Sequence, residues 1–210
     1  MMSKTRLLDL PNELFLFIFQ YIKSSHLVQA FSQFQSPRIQ ALIQQFIYNL
    51  DISEETDQWI KTYLPDLFAQ QTIATLRLQD KHLDFISKDL FTDDIQSMHI
   101  LSSDWTTDLL KEEISSLRQR LKRLSITFTY PHGKGDIASD LFQSDSQLEY
   151  LNVTGRFLYF DNHEINTCIR LTYLSIELEG MYRVFMLVEH LPNLEELKVS
   201  KTHSNFIIFI

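Results

Sequence analysis

The sequence predicts an α/β chain built in two parts. A helical module over residues 1–50 leads through a helical connector, 51–70, into a repetitive domain, 71–210. That domain carries short parallel strands on an inner curve and helices or loops outside. Three observations predict it. Ile39, Leu42, Ile43, Phe46, Ile47 and Leu50 fall at i, i+3, i+4, i+7, i+8 and i+11, one face of a helix. The pattern apolar-x-x-apolar-x-apolar recurs six times, as Ile73/Leu76/Leu78, Ile95/Met98/Ile100, Leu121/Leu124/Ile126, Leu148/Leu151/Val153, Leu171/Leu174/Ile176 and Leu194/Leu197/Val199. The middle positions of that pattern step by 22, 26, 27, 23 and 23 residues, a period that belongs to repeat architectures.

The bulk numbers narrow the function classes. Of 210 residues 44% are apolar and 12% aromatic, enough to fill one or two cores. The net charge is −8, and the acidic excess lies beyond residue 50, because before it Lys4, Arg6, Lys23 and Arg38 outnumber Asp9 and Glu13. An acidic body without a Lys/Arg stripe is a poor match for a phosphate backbone, so nucleic acid is not an expected partner. Cys168 is the one cysteine, which allows no intramolecular disulfide or thiolate cluster and fits a reducing compartment. The opening residues turn polar and reach Pro11 before a signal-peptide core could form. The longest apolar runs, 14–19 and 206–210, fall far short of the ~20 residues that span a bilayer. A cytoplasmic or nuclear protein with no membrane contact is expected. Four glycines and five prolines argue against disorder.

Taken in order, Pro11 opens the first helix, where its missing N–H costs nothing. Leu14, Ile18, Tyr21 and Ile22 follow at helical spacing, and Phe15 and Phe19 broaden the stripe. Lys23-Ser24-Ser25 interrupts it, and either serine can cap a second helix with Leu27, Ala30, Phe31 and Phe34. Ser36-Pro37 reads as N-cap and first residue of the third helix. Some of this apolar surface must meet a partner or the rest of the chain, because about 50 residues are marginal alone. In the connector, Ser53 caps a helix with Glu54, Glu55 and Asp57 at its positive end, and Pro65 limits its extension. Trp59, Ile60, Tyr63 and Leu64 form its apolar face.

Leu10-Pro11-Asn12-Glu13-Leu14, then Ile18-Phe19, Tyr21-Ile22 and Leu27, resembles the opening of the F-box family, LPxE[IL]xxxIFxYLxxxxL. The likeness covers roughly residues 8–50. It departs from the family further on, with His26 before Leu27 and Phe31, Phe34 and Pro37 in place of a Cys/Trp pair. The resemblance implies docking of an Skp-type adaptor, and through it a cullin-based ubiquitin ligase. It gives Leu10, Pro11, Leu14, Ile18, Phe19, Ile22 and Leu27 as adaptor contacts. The alternative is that these helices only cap the repeats.

The recurring pattern of residues 73–199 resembles leucine-rich repeats, which imply a solenoid. Asp-Leu-Phe keeps phase with it at 66–68, 89–91 and 140–142, and an apolar residue recurs further on at Leu83, Trp105, Leu158 and Met181. Convex helices are expected through Trp105, Leu109, Leu110, Ile114 and Leu117, and from Tyr182 to His190. The family's asparagine at position nine is replaced by Lys81, Ser103, Thr129, Arg156, Glu179 and Thr202, so irregular turns are expected. Alternation buries the leucines and leaves Arg77, His99, Ser125, Asn152, Ser175 and Lys198 on the outward column, flanked by Arg123, Tyr150, Tyr173 and Glu177. These are the candidate target contacts. By the last period the chain stops within a repeat, so either it is a fragment or 205–210 fold back over the 194–199 strand.

Nothing in the sequence assembles a catalytic or metal site. His163-Glu164 lacks the second histidine of HExxH, and Pro131-His132-Gly133-Lys134-Gly135 lacks GxxxxGK[ST]. Cys168 is expected to be buried, and the sequon Asn152-Val153-Thr154 falls in a strand. The expected function is therefore non-catalytic and needs no cofactor: substrate recognition for an SCF-type ligase, holding an unidentified target protein near it. A repeat scaffold without a ligase role is the alternative.

Overall fold

The computed structural model describes residues 10–31, 36–70, 72–86, 94–103, 108–129, 137–158, 160, 165–178, 180, 182–201 and 204–209. Chain order gives α1 (Asn12–Phe19), α2 (Ser24–Phe31), α3 (Pro37–Ile47), β1 (Asn49–Asp51) and α4 (Asp57–Gln70). The second part holds β2 (Thr75–Gln79), a 3-10 turn (Asp80–Phe85), β3 (Ser97–Ser102), α5 (Asp108–Arg120), β4 (Arg123–Phe128) and α6 (Ala138–Leu141). It ends with β5 (Tyr150–Leu158), β6 (Tyr173–Leu178), α7 (Tyr182–His190), β7 (Glu196–Lys201) and β8 (Ser204–Phe209). The fold is α/β. One sheet runs β1 to β8 in chain order, parallel through β7, with β8 antiparallel.

The repeat pattern is the register of this sheet. Leu76, Met98, Leu124, Leu151, Leu174 and Leu197 pair in one row, and all are fully or nearly fully buried. The apolar residue three places earlier in each repeat is buried as well, in the segment that leads into the strand. Those segments repeat a backbone motif. The Tyr48 carbonyl accepts the N–H groups of Ala74 and Thr75, and Ala74, Gln96, Lys122, Glu149 and Thr172 do the same for the next segment in turn. At one of the positions that lack the asparagine, the preceding repeat supplies an acceptor. At β3, Asp80 accepts the Ser102 hydroxyl at 2.8 Å and the Ser103 N–H at 3.0 Å.

Several expectations need correction. The third helix ends at Ile47, and Leu50 is the buried centre of a strand that pairs Leu50 with Leu76. Helical periodicity and one strand position coincide there, and three residues are too few to reveal a period of two. Ser53 does not cap the connector helix. Its hydroxyl donates to Asp51, and the Trp59 N–H is taken by Thr56, so the helix starts at Asp57. Pro65 does not stop α4 but sits exposed inside it, while Leu64, Leu67 and Phe68 are buried around it. Their burial offsets the lost helical bond. The Ser36 cap and Pro37 first residue stand as read, although the Ser36 side chain makes no capping bond. The C-terminal segment does fold back, pairing as β8 antiparallel to β7 and lengthening the sheet by one strand. Trp105, Met181, the motif at 89–91, Phe34, Pro131 to Gly135 and His163-Glu164 lie outside the described residues.

Buried residues of α1–α4 and of the repeats form one continuous cluster. Within it His82 is wholly buried, its Nδ1 accepting the Gln79 N–H at 3.3 Å. Burial, aided by the charge of Lys81, holds its imidazole below the ordinary value of 6.5. The folded state therefore favours the neutral ring, so this stability is present above 6.5 and is lost as pH falls toward the depressed value. His82→Asn keeps an acceptor for Gln79 and removes the titration. It is expected to shrink the fall in melting temperature between about pH 7 and about pH 5. His99, also lowered by burial, retains a share of that fall. An unchanged pH dependence in His82→Asn would reject this assignment.

Candidate functional site

Two surfaces gather the candidate residues. On α1, the two phenylalanines at i and i+4 turn inward: Phe15 and Phe19 are each 1% exposed. Their rings meet edge to face at 5.5 Å, and Phe19 also meets Phe31 at 5.2 Å and Phe46 at 5.7 Å. Arg38 on α3 locks the start of the helix, donating to Asn12 Oδ1 at 2.6 Å and to the Leu10 carbonyl, with its guanidinium over Phe15. The inner face is thereby used up.

The outer face is apolar as well. Leu14, Phe17 and Ile18 on α1 are exposed, as are Tyr21 and Ile22, which fall not on the helix, as their spacing suggested, but in the turn that follows Phe19. Phe17 is 58% and Tyr21 75% exposed, and their rings pack edge to face at 5.4 Å. Of the expected adaptor contacts, Leu14, Ile18 and Ile22 lie on this stripe, Pro11 is exposed beside it, and Leu10 is half-buried. Phe19 and Leu27 do not: both are core, because the sequence motif marks apolar positions without separating those that hold the helices together. Phe17 was missed. Counting i+3 from Leu14 could have found it.

The second surface is the outward face of the sheet. Arg77, His99, Ser125, Asn152, Ser175 and Lys198 pair in one row across β2–β7, as their alternation with the buried leucines requires. Arg123, Tyr150 and Tyr173 pair in the adjacent row, continued by Glu196, which the sequence reading omitted. Hydrogen bonds hold many of these groups in place. His99 Nε2 lies 3.0 Å from Thr127 Oγ1, Thr127 lies 3.2 Å from Thr154, and Asn152 Nδ2 donates to Ser125 Oγ at 3.0 Å. Arg77 faces Asp51 at 3.7 Å.

The strongest cluster on this face spans β4 to β7. The Tyr150 and Tyr173 rings stack in parallel, 4.2 Å apart, with Arg123 over the outer face of one and Lys198 over the other. Lys198 pairs with Glu196 at 2.9 Å, and its ammonium is pushed up to about 12, first by that bond and then by one to Tyr173. Burial, and then the bond to Tyr173, hold the Tyr150 phenol above its ordinary 10.0.

Glu177 stands apart from the rows. β5 bulges against β6, so that residues 153–156 lie opposite Ile176 alone between the pairs Asn152–Ser175 and Phe157–Glu177. Gly155 sits in the bulge at φ 82°, and its N–H donates to Glu177 Oε1 at 2.8 Å. No pattern in the sequence announces the bulge except that glycine.

Among the described residues no group of three His, Cys, Asp or Glu side chains could hold a metal ion. Cys168 is buried, its thiol pushed up to about 11 by that burial and donating to the Gln143 carbonyl, which leaves a poor nucleophile. Also among the described residues, no helix is long and apolar enough to cross a membrane. Compared with known proteins, the chain matches no family model, no curated protein and no solved structure.

Proposed function

We propose that the chain is the substrate-recognition subunit of an SCF-type ubiquitin ligase, an F-box module followed by leucine-rich repeats. Its first helix takes an Skp-type adaptor that leads to a cullin, and the outward sheet face takes a target protein. The role requires no catalysis and no cofactor. It supplies proximity, which by itself converts a bimolecular encounter into a local one. The observation that carries the reading is the exposed stripe Leu14, Phe17 and Ile18 on α1, continued by Tyr21 and Ile22 in the turn after it, on a helix whose inner face is already packed. Exposed apolar groups that are contiguous mark an interaction site, whereas single ones are ordinary. Burying each such side chain on a partner contributes ~1.5–3 kcal/mol.

Ile18→Asp puts a charge in the middle of that stripe. Since Ile18 is 41% exposed, the variant is expected to fold with the parent's melting temperature. Co-purification with an Skp-type adaptor should be lost, because an unpaired charge in the interface costs about 3 kcal/mol or more. Adaptor binding that survives the substitution, or a parent that binds no adaptor under native conditions, removes the ligase role.

One observation favours the second reading, a repeat scaffold with helical cap. Ile47, Leu50 and Ile52 carry the core of the helices without a break into the first strand of the sheet. A cap of that kind leaves the α1 stripe unexplained, which is why the ligase reading is preferred.

A further inference from the structure

We infer that Arg123, with the Tyr150–Tyr173 pair beside it, is the docking point for a carboxylate side chain in an extended acidic segment of the target. This rests on the outward sheet face being the target surface, and deepens it by naming what that face takes.

The argument is one of unmatched charge. Across the outward rows, cations and anions come in pairs: Arg77 faces Asp51, and Lys198 faces Glu196. Glu177 is taken by the Gly155 N–H. Arg123 differs. It is exposed, rests on the Tyr150 ring with 5.8 Å to the centroid, and has no carboxylate at ion-pair distance among the described residues. Lys122 adds a second exposed cation next to it in the chain. In a chain with 27 acidic residues, this positive spot meets no carboxylate among the described residues.

The rings reinforce the same preference. An aromatic ring is negative over its faces and positive around its edge. Here the inner faces of both tyrosines cover each other, and the outer faces are covered by Arg123 and Lys198. A ligand is left the positive edges of the two rings. Two half-buried tyrosines already held by stacking also lose little freedom on binding, which is the usual character of an anchor residue.

Selection of random peptides of about 12 residues on the immobilised full chain tests this. The parent is expected to enrich Asp and Glu. Arg123→Glu should turn the preference toward Lys and Arg, and Arg123→Gln should remove it, both with the parent's melting temperature. Tyr150→Ala should weaken the selected acidic peptides about tenfold. Peptides without acidic enrichment, or acidic peptides that bind Arg123→Glu as tightly as the parent, overturn the inference. If such binding is lost instead on Arg77→Glu or His99→Glu, the sheet face stands as the target surface with another determinant. If the parent enriches no peptide, the inference falls. Adaptor co-purification, read in parallel, should be unaltered in every Arg123 and Tyr150 variant. Its loss there would show that the substitutions act on the whole molecule, and would also overturn the assignment.

Discussion

Leu174→Asp is expected to unfold at least the neighbourhood of β5 to β7, while Ser175→Asp, one residue on, leaves the fold intact. Leu174 is 0% exposed and lies in the middle of the buried row between Leu151 and Leu197. A carboxylate placed there has no cation to meet, and it either stays charged at a cost of several kcal/mol or takes up a proton and remains an unsatisfied polar group. Against a total stability of ~5–15 kcal/mol, that loss is decisive. β6 pairs with β5 on one side and β7 on the other, so the damage should spread to both. Ser175 points the other way. It is half-buried on the outward row, where Lys198 is its neighbour across β7. Its substitution is expected to stay within about 0.5 kcal/mol. Urea unfolding followed by circular dichroism measures both, and equal destabilisation would show that the strand alternation is misassigned.

That contrast also marks what the sequence makes legible. Inward and outward rows could be read because burial on one face imposes a period of two, and six copies at a common offset leave no second register. The buried row from Leu76 to Leu197 therefore follows, although the register of β5 on β6 slips beyond Asn152. The helix starts at Pro11 and Ser36-Pro37 were readable for a different reason, since their chemistry is local. Where the reading failed, long-range terms overrode local ones. Pro65 is tolerated in α4 because of what Leu64, Leu67 and Phe68 bury, and no local rule weighs that burial. β1 is three residues long and exists through its pairing with β2.

The candidate surfaces divide in the same way. The outward row was legible as an alternation, but the Tyr150–Tyr173 stack needed the register of β5 on β6 before two tyrosines 23 positions apart could be seen as neighbours. On α1, a helix that is apolar nearly all round cannot disclose from sequence which side faces inward. The ring contacts of Phe15 and Phe19 decide it, and the stripe left outside follows. Of the expected adaptor contacts, Phe19 and Leu27 were lost to the core on that account.

Gly155→Ala is expected to cost far more stability than adding one methyl group ordinarily does. Gly155 lies at φ +82°, where L side chains are strained, and a Cβ built there would come within 2.1 Å of the Phe128 carbonyl oxygen. The clash is with the backbone of the adjacent strand, so relief requires β4 and β5 to separate or the bulge to refold. Positive-φ strain alone costs of order 1–3 kcal/mol, and disturbing the strand pairing adds to it, for a total of about 3 kcal/mol or more. Gly180→Ala is the matched control. Its Cβ would come within 2.7 Å of the Tyr182 ring, which is a side chain 60% exposed and free to swing into solvent, so a far smaller loss is expected. The bulge also ties stability to the outward face, since the Gly155 N–H holds Glu177. Glu177→Gln keeps an oxygen acceptor for that N–H and should be nearly neutral, whereas Glu177→Ala should lose about 1 kcal/mol. Thermal and urea unfolding of the four variants decide the matter. Similar losses for Gly155→Ala and Gly180→Ala would mean that β5 does not approach β4 as closely as the bulge requires.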